Sequence, residues 1–179
     1  MWVLHKKKLA EKVEKNFIII KENFKPKLVS GYDNWRLDNK KEWLNSMYLS
    51  FENDNYYNLN FEKFIKDLLV DVRIIALDFL KKSSSFKKIQ NIHQSQVFIT
   101  KYSSSEGVKE HCDDTLISVL IGLNSEFSGG NLKIIDKNFE HFIRYETGDV
   151  VVMEGDVRHM GQAVTSGERW MMAVFYNLF

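Results

Sequence analysis

From Gln96 onward the sequence has no helical period. Residues 97–102, 115–123, 132–135, 139–145, 149–153, 160–165 and 169–176 are short runs dominated by β-branched and aromatic side chains. Between them lie Ser-Ser-Ser-Glu-Gly (103–107), Ser-Gly-Gly (128–130), Thr-Gly-Asp (147–149) and Ser-Gly-Glu (166–168). These residues favour turns, because Gly tolerates positive φ and Ser and Asp side chains bond back to their own backbone. Seven or eight short strands at this spacing build a sandwich or barrel. An alternating α/β sheet would need helices between the strands.

The first half reads differently. Over 61–79 the apolar residues Phe61, Phe64, Ile65, Leu68, Leu69, Val72, Ile75, Ala76 and Phe79 recur at steps of three and four, which defines one helical face. Asn60 is the expected N-cap, and Lys81-Lys82 suit the negative C-terminal end. Residues 9–24 are also helix-like, although Phe17-Ile18-Ile19-Ile20 competes as a short strand. Pro26 marks a bend, and residues 31–60 have no period and read as loop with short elements. The expected fold class is mainly β with supporting N-terminal helices (α+β). Residues 1–95 would pack as a helical and loop region on a strand core over 96–179, all in one domain, as 179 residues suit.

Charge is unevenly placed: +7 over 1–101 and −6 over 102–179, for a net +1. A solvated helical surface is the bland reading of the basic half, and a face for an acidic partner the sharper one. One cysteine excludes an intramolecular disulfide and a cysteine-cluster metal site. The start, Met1-Trp2-Val3-Leu4-His5-Lys6-Lys7-Lys8, has no apolar signal region, and no apolar run approaches the ~20 residues of a membrane span. The expectation is an intracellular, cytoplasmic chain without membrane contact.

The chemistry sits in the strand half. In a strand, residues i and i+2 share a face, so His111 and Asp113 of His111-Cys112-Asp113 can approach one metal while Cys112 points away. Asp114 competes with Asp113, and strand parity favours Asp113. His159 follows 48 residues later at the start of another run. Two imidazoles and a carboxylate are the ligand set of a non-haem Fe(II) facial triad, which leaves positions open for a 2-oxo acid and dioxygen. Arg169, just past the 165–168 turn, carries a fork that grips a carboxylate, as the far end of 2-oxoglutarate requires. The alternative for His111, Asp113 and His159 is a set of unrelated surface residues.

Other features read as structural. Cys112 fits a small sheet residue, and His5, His93 and His141 have no matching partners. No Gly-x-Ser-x-Gly elbow occurs, and Gly129-Gly130 is not followed by Gly-Lys-Ser/Thr. Arg158 should point away from His159, whereas Gly161 shares its parity and could leave room for substrate. Trp35, Trp43, Tyr48, Tyr56 and Tyr57 fit either a substrate lid or packing on the helix.

Taken in order, Tyr102, His111-x-Asp113, Gly122-Leu123-Asn124, Ser128-Gly129-Gly130-Asn131-Leu132, Gly148-Asp149-Val150-Val151, His159, Gly167-x-Arg169 and Ala173-Val174-Phe175-Tyr176 form a series. It resembles the catalytic domain of the 2-oxoglutarate- and Fe(II)-dependent dioxygenases, nearest the prolyl-hydroxylase-like branch, over about residues 96–179. The resemblance implies a double-stranded β-helix (jelly roll) with iron on His111, Asp113 and His159. It implies that Arg169 and Tyr102 bind the distal carboxylate of 2-oxoglutarate. Fe(II), 2-oxoglutarate and dioxygen are the implied cofactors, with ascorbate as an accessory reductant. The implied reaction hydroxylates a C–H of a protein residue or a free amino acid and releases succinate and CO2. The implied partner is a peptide, protein or small-molecule substrate.

Three positions depart from the family pattern. Arg169 stands where collagen-type prolyl hydroxylases usually carry lysine. Val108 replaces an aromatic often found before the first ligand. Arg169-Trp170-Met171-Met172 lacks the Arg-x-Asn/Ser-x-Thr run of nucleic-acid demethylases. Nucleic-acid demethylation and a non-catalytic metal-binding jelly-roll module are the alternatives.

Overall fold

The structure is a computed structural model, and it describes residues 1–29, 43–49, 58–86, 88–89 and 91–178. Among the described residues, two helices, α1 (Ala10–Asn23) and α2 (Leu59–Lys82), lie with thirteen strands. The expected apolar face of α2 is buried, with Phe61, Phe64, Ile65, Leu68, Val72, Ile75, Ala76 and Phe79 inside and Leu80 added. The helix starts slightly earlier than its period suggests. Asn58, extended at φ −60° and ψ 136°, takes the cap and accepts from the Asn60 amide at 2.8 Å. Residues 17–20 lie within α1, so the strand alternative loses. Val13 and Ile20 are buried two turns apart while Ile18 is 70% exposed, the signature of a one-sided helix.

The strand half folds as two facing sheets. The larger runs, in order, through Trp2–His5 (β1), Val150–Glu154 (β10), Ile117–Gly122 (β6), Arg169–Asn177 (β13), His93–Tyr102 (β4), Trp43–Tyr48 (β3) and Lys27–Val29 (β2). The smaller contains Val108–His111 (β5), Arg158–Gly161 (β11), Leu132–Asp136 (β8) and Phe139–Ile143 (β9). A two-stranded ribbon joins Phe127–Gly129 (β7) to Val164–Gly167 (β12). All the strand pairings are antiparallel. This is the jelly-roll architecture, with both helices on the outer face of the larger sheet.

That covering explains why its central strands read as unbroken apolar runs rather than alternations. On β13, Trp170, Met172, Val174 and Tyr176 join the helix-side core, while Met171 and Ala173 face the smaller sheet. On β10, Val150 and Val152 face the helices, and Val151 and Met153 face inward.

Two features differ from the sequence reading. The run 160–165 is two strands, because the chain leaves the smaller sheet after Gly161 and enters the ribbon at Val164. The first half also supplies β1, β2 and β3 to the larger sheet, with β1 pairing along β10. A four-residue strand beside a lysine run shows no period long enough to be recognised.

Candidate active site

His111 ends β5 and lies directly across from His159 on β11. Their rings are 4.2 Å apart between centroids. Asp113 is two residues beyond the end of its strand, where its amide donates to the Gly155 carbonyl at 2.9 Å. Its carboxylate meets both imidazoles: His111 Nε2 is 3.5 Å from Oδ1 and His159 Nε2 is 3.7 Å from Oδ2. One ligand atom from each of the three lies within 4.8 Å of the others, a spacing that fits a metal ion.

The imidazoles are aimed by the backbone. His111 Nδ1 donates to the Lys109 carbonyl at 2.7 Å, and His159 Nδ1 donates to the Val157 carbonyl at 2.9 Å. A carbonyl can only accept, so each ring carries its hydrogen on Nδ1 and presents a lone pair on Nε2. Burial lowers the His159 pKa, helped by the neighbouring His111 and opposed by Asp113, so the neutral, ligating form is favoured. Burial would raise Asp113, but the adjacent His111 and His159 side chains and the hydrogen bond from Ser118 outweigh it and hold the carboxyl below its ordinary range. Ser118, on β6, donates to Asp113 Oδ2. Gly155 lets two chain segments cross beneath the triad, since a Cβ there would collide with the Thr115 carbonyl.

Arg169 opens β13 directly opposite Tyr102 on β4. Its guanidinium lies 4.2 Å from the Tyr102 ring centroid, and Nη1 donates to the Gly130 carbonyl. The side chain is 1% exposed, and no described carboxylate forms an ion pair with it. Among the described residues its Nε has no hydrogen-bond partner, and neither has the hydroxyl of the fully buried Tyr145. A buried cation without an internal anion is expensive. The pocket around it therefore fits an anionic ligand with carboxylate geometry.

A cavity of about 390 Å³ connects the two groups. His111, Asp113, His159, Tyr102, Tyr145 and Arg169 all line it. It continues past Thr100 and Met171 to Phe98 and Phe175, about 13 Å and about 20 Å along the strands from Arg169. Tyr48 and Phe98 meet at a tilt with ring centroids 5.3 Å apart, and Phe98 and Phe175 meet edge to face at 5.3 Å, so the far wall is aromatic.

The remaining residues singled out in the sequence fall outside this cluster. Asp114 is exposed at the cavity rim. Cys112 is exposed and donates to the Asp156 carbonyl at 3.2 Å, with partial burial raising its pKa. Arg158 points away and pairs with Glu110. Gly161 faces inward but makes room for Arg169 rather than substrate, because a Cβ there would stand 2.8 Å from Arg169 Nη2. His141 packs edge-on against Trp2. Of the aromatics suggested as a lid, Tyr48 lines the cavity. Trp35, Tyr56, Tyr57 and the Trp43 side chain lie outside the described residues.

Many first-half lysines are ion-paired: Lys12 with Asp67 and Asp71, Lys15 with Glu11, Lys66 with Glu62 and Lys81 with Asp78. These pairs neutralise part of the charge on the helix surface. Ser118 and Tyr145 are site residues the sequence reading missed. Alternation from Ile143 to Tyr145 was a usable signal for the second, and Ser118 had none beyond its place in an apolar strand.

The profile of the 2OG-Fe(II) oxygenase superfamily matches residues 97–177, the segment that carries the triad and Arg169. This segment is similar to a 2OG-Fe(II) oxygenase domain. The superfamily implies Fe(II), 2-oxoglutarate and dioxygen as its reactants at the metal. A PKHD-type hydroxylase of Idiomarina loihiensis is 31% identical over 108 residues, which are 55% of this chain and 50% of that one. The chain thus spans about half the length of this curated relative. A prolyl-4-hydroxylase of Pseudomonas putida superposes with a TM-score of 0.69 at 14% identity, over 99% of this chain and 92% of its own. A prolyl hydroxylase of Trichoplax adhaerens, solved with a peptide fragment of the hypoxia inducible factor oxygen degradation domain, gives 0.66 at 12% identity, over 98% and 83%. At these identities the two solved structures share the oxygenase fold.

Proposed function

We propose that the chain is an Fe(II)- and 2-oxoglutarate-dependent hydroxylase acting on a C–H bond of an amino-acid residue, with a prolyl residue in a peptide or protein as the first candidate. The observation that carries this reading is one cavity holding both a His-Asp-His cluster whose ligand atoms lie within 4.8 Å of one another and a buried arginine with no acidic partner among the described residues. His111, Asp113 and His159 would hold the metal through two neutral imidazoles and one carboxylate, leaving part of its coordination sphere open. Iron, when bound, supplies the redox chemistry that couples oxidative decarboxylation of 2-oxoglutarate to substrate oxidation.

The protein's own groups bind and orient. Arg169 takes the distal carboxylate of 2-oxoglutarate, with the Tyr102 ring beneath it fixing the plane of the fork. Ser118 fixes the Asp113 carboxylate, and the Lys109 and Val157 carbonyls fix the imidazole planes. Leu120, Leu132, Met171 and Ala173 keep the cavity walls apolar, which limits water at the metal. Phe98, Phe175 and Tyr48 line the approach where a substrate side chain would lie. Ascorbate would serve as accessory reductant. A cytoplasmic location belongs to the same reading, since the lone exposed thiol of Cys112 suits a reducing compartment. The peptide preference draws on the hydroxylases named above.

The test is to load purified protein anaerobically with Fe(II) and 2-oxoglutarate, admit oxygen, and offer proline-containing peptides and free amino acids. Stoichiometric succinate and a product heavier by one oxygen atom are expected. If iron and 2-oxoglutarate bind but neither succinate nor oxidised product forms with any substrate, the protein is a metal-binding module instead.

A further inference from the structure

Tyr145 follows β9 and is fully buried, yet its hydroxyl has no hydrogen-bond partner. Buried hydroxyls are nearly always paired, so an orphan facing a cavity marks a place where something else accepts. The position is built to hold that ring. Across from it, Gly122 has no side chain, and a Cβ there would press to 3.2 Å on both Cβ and Cδ1 of Tyr145. Ile143, two residues earlier, shares the inward parity.

The phenol lies within the electrostatic reach of Arg169 and of Tyr102. The two tyrosines are not equivalent. Tyr102 presents its ring face to the guanidinium, and its hydroxyl is engaged with Arg169 and Thr100. Arg169 spends Nη1 on the Gly130 carbonyl and leaves Nε unpaired. Two polar hydrogens, on Arg169 Nε and Tyr145 Oη, therefore remain unsatisfied in one corner of the cavity. Burial drives the Tyr145 pKa far up, so the phenol keeps its hydrogen and is available as a donor.

We infer that the Tyr145 hydroxyl donates a hydrogen bond to the distal carboxylate of 2-oxoglutarate, as a binding residue beside Arg169. This rests on the co-substrate assignment proposed above. It gives the carboxylate a charged fork on one side and a neutral phenol on another, and it turns two unsatisfied donors into satisfied ones only when the ligand is present.

The experiment is calorimetry under anaerobic conditions on manganese(II)-loaded protein. The ligands are 2-oxoglutarate and 2-oxopentanoate, which has the same chain length but no distal carboxylate. Wild type should prefer 2-oxoglutarate strongly. Tyr145→Phe should weaken 2-oxoglutarate binding by tens of fold, as expected when a hydrogen bond to a charged group is lost, and leave 2-oxopentanoate unchanged. The ligand-free variant should melt no lower than wild type, because the hydroxyl removed had no partner. A loss of less than fivefold for 2-oxoglutarate, or an equal loss for both ligands, removes Tyr145 from this role while the co-substrate reading stands. If wild type itself fails to discriminate between the ligands, the co-substrate reading falls and takes this inference with it.

Discussion

Arg169 enters the interior with one carbonyl, one aromatic face and, among the described residues, no carboxylate to meet it. Such a charge lowers the stability of the empty protein and is retained for what it binds. Arg169→Met should therefore raise the thermal midpoint of the ligand-free protein, by roughly 1–4 kcal/mol of stability, while abolishing 2-oxoglutarate binding in calorimetry. Lower stability in this variant would show that the guanidinium is a structural strut. Gly161→Ala isolates the same group more gently. Its new methyl would stand 2.8 Å from Nη2 of the buried guanidinium and displace it, so unfolding should shift by about 1–3 kcal/mol, while affinity for 2-oxoglutarate falls and metal affinity holds. Ser118→Ala removes the hydroxyl from the Asp113 carboxylate and should weaken Fe(II) or Mn(II) binding by roughly 10- to 100-fold, read by competition with a metal indicator. At this scale His111, Asp113, His159 and Arg169 were legible because their residue types are chemically restrictive. Ser118 was not, because a serine inside an apolar strand carries no mark of what it faces.

The elements were legible where a period ran long enough. Nine apolar positions over 61–79 announced α2, and its outer face carries the charges that periodicity left for solvent. Leu68→Ala, at a fully buried point of that face, should cost about 2–5 kcal/mol in urea unfolding without touching the site. Short elements were harder. Residues 158–167 hold two strands in two different sheets, and sequence alone cannot show a chain changing partners between Gly161 and Val164. Strand parity selected Asp113 over Asp114, yet Asp113 lies past the end of β5. Its position is fixed by the backbone bond to Gly155, a contact across 42 residues.

For the whole molecule, the larger sheet joins both halves of the chain. β1 borders β10, and β3 borders β4, while the helices cover the outer face. We propose one folding unit on that basis, although the candidate site residues Tyr102, His111, Asp113, His159 and Arg169 all lie beyond residue 101. A fragment of residues 96–179 would lose the cover of Ile117, Val119, Ile121, Val150, Val152, Met172 and Val174. It should aggregate or give the circular dichroism of an unfolded chain, and a soluble, cooperatively melting fragment would show the halves to be independent. The ion-paired helix surface makes a nucleic-acid partner a poor fit, so binding to single-stranded DNA should stay weak at physiological salt in a gel-shift or anisotropy titration.

Sequence alone determined the class of secondary structure in each half, the ordered series of metal-type and carboxylate-binding residues, and hence the chemistry the chain can support. Those properties depend on residue type and local spacing, which the chain carries wherever it goes. Tertiary structure alone decided that two imidazoles and one carboxylate from different segments meet within 4.8 Å, that Arg169 is buried without an acid, and that Tyr145 waits beside it without a partner. Those facts arise from which strands lie side by side and which sheet faces which, and such long-range pairings leave no local trace in the sequence.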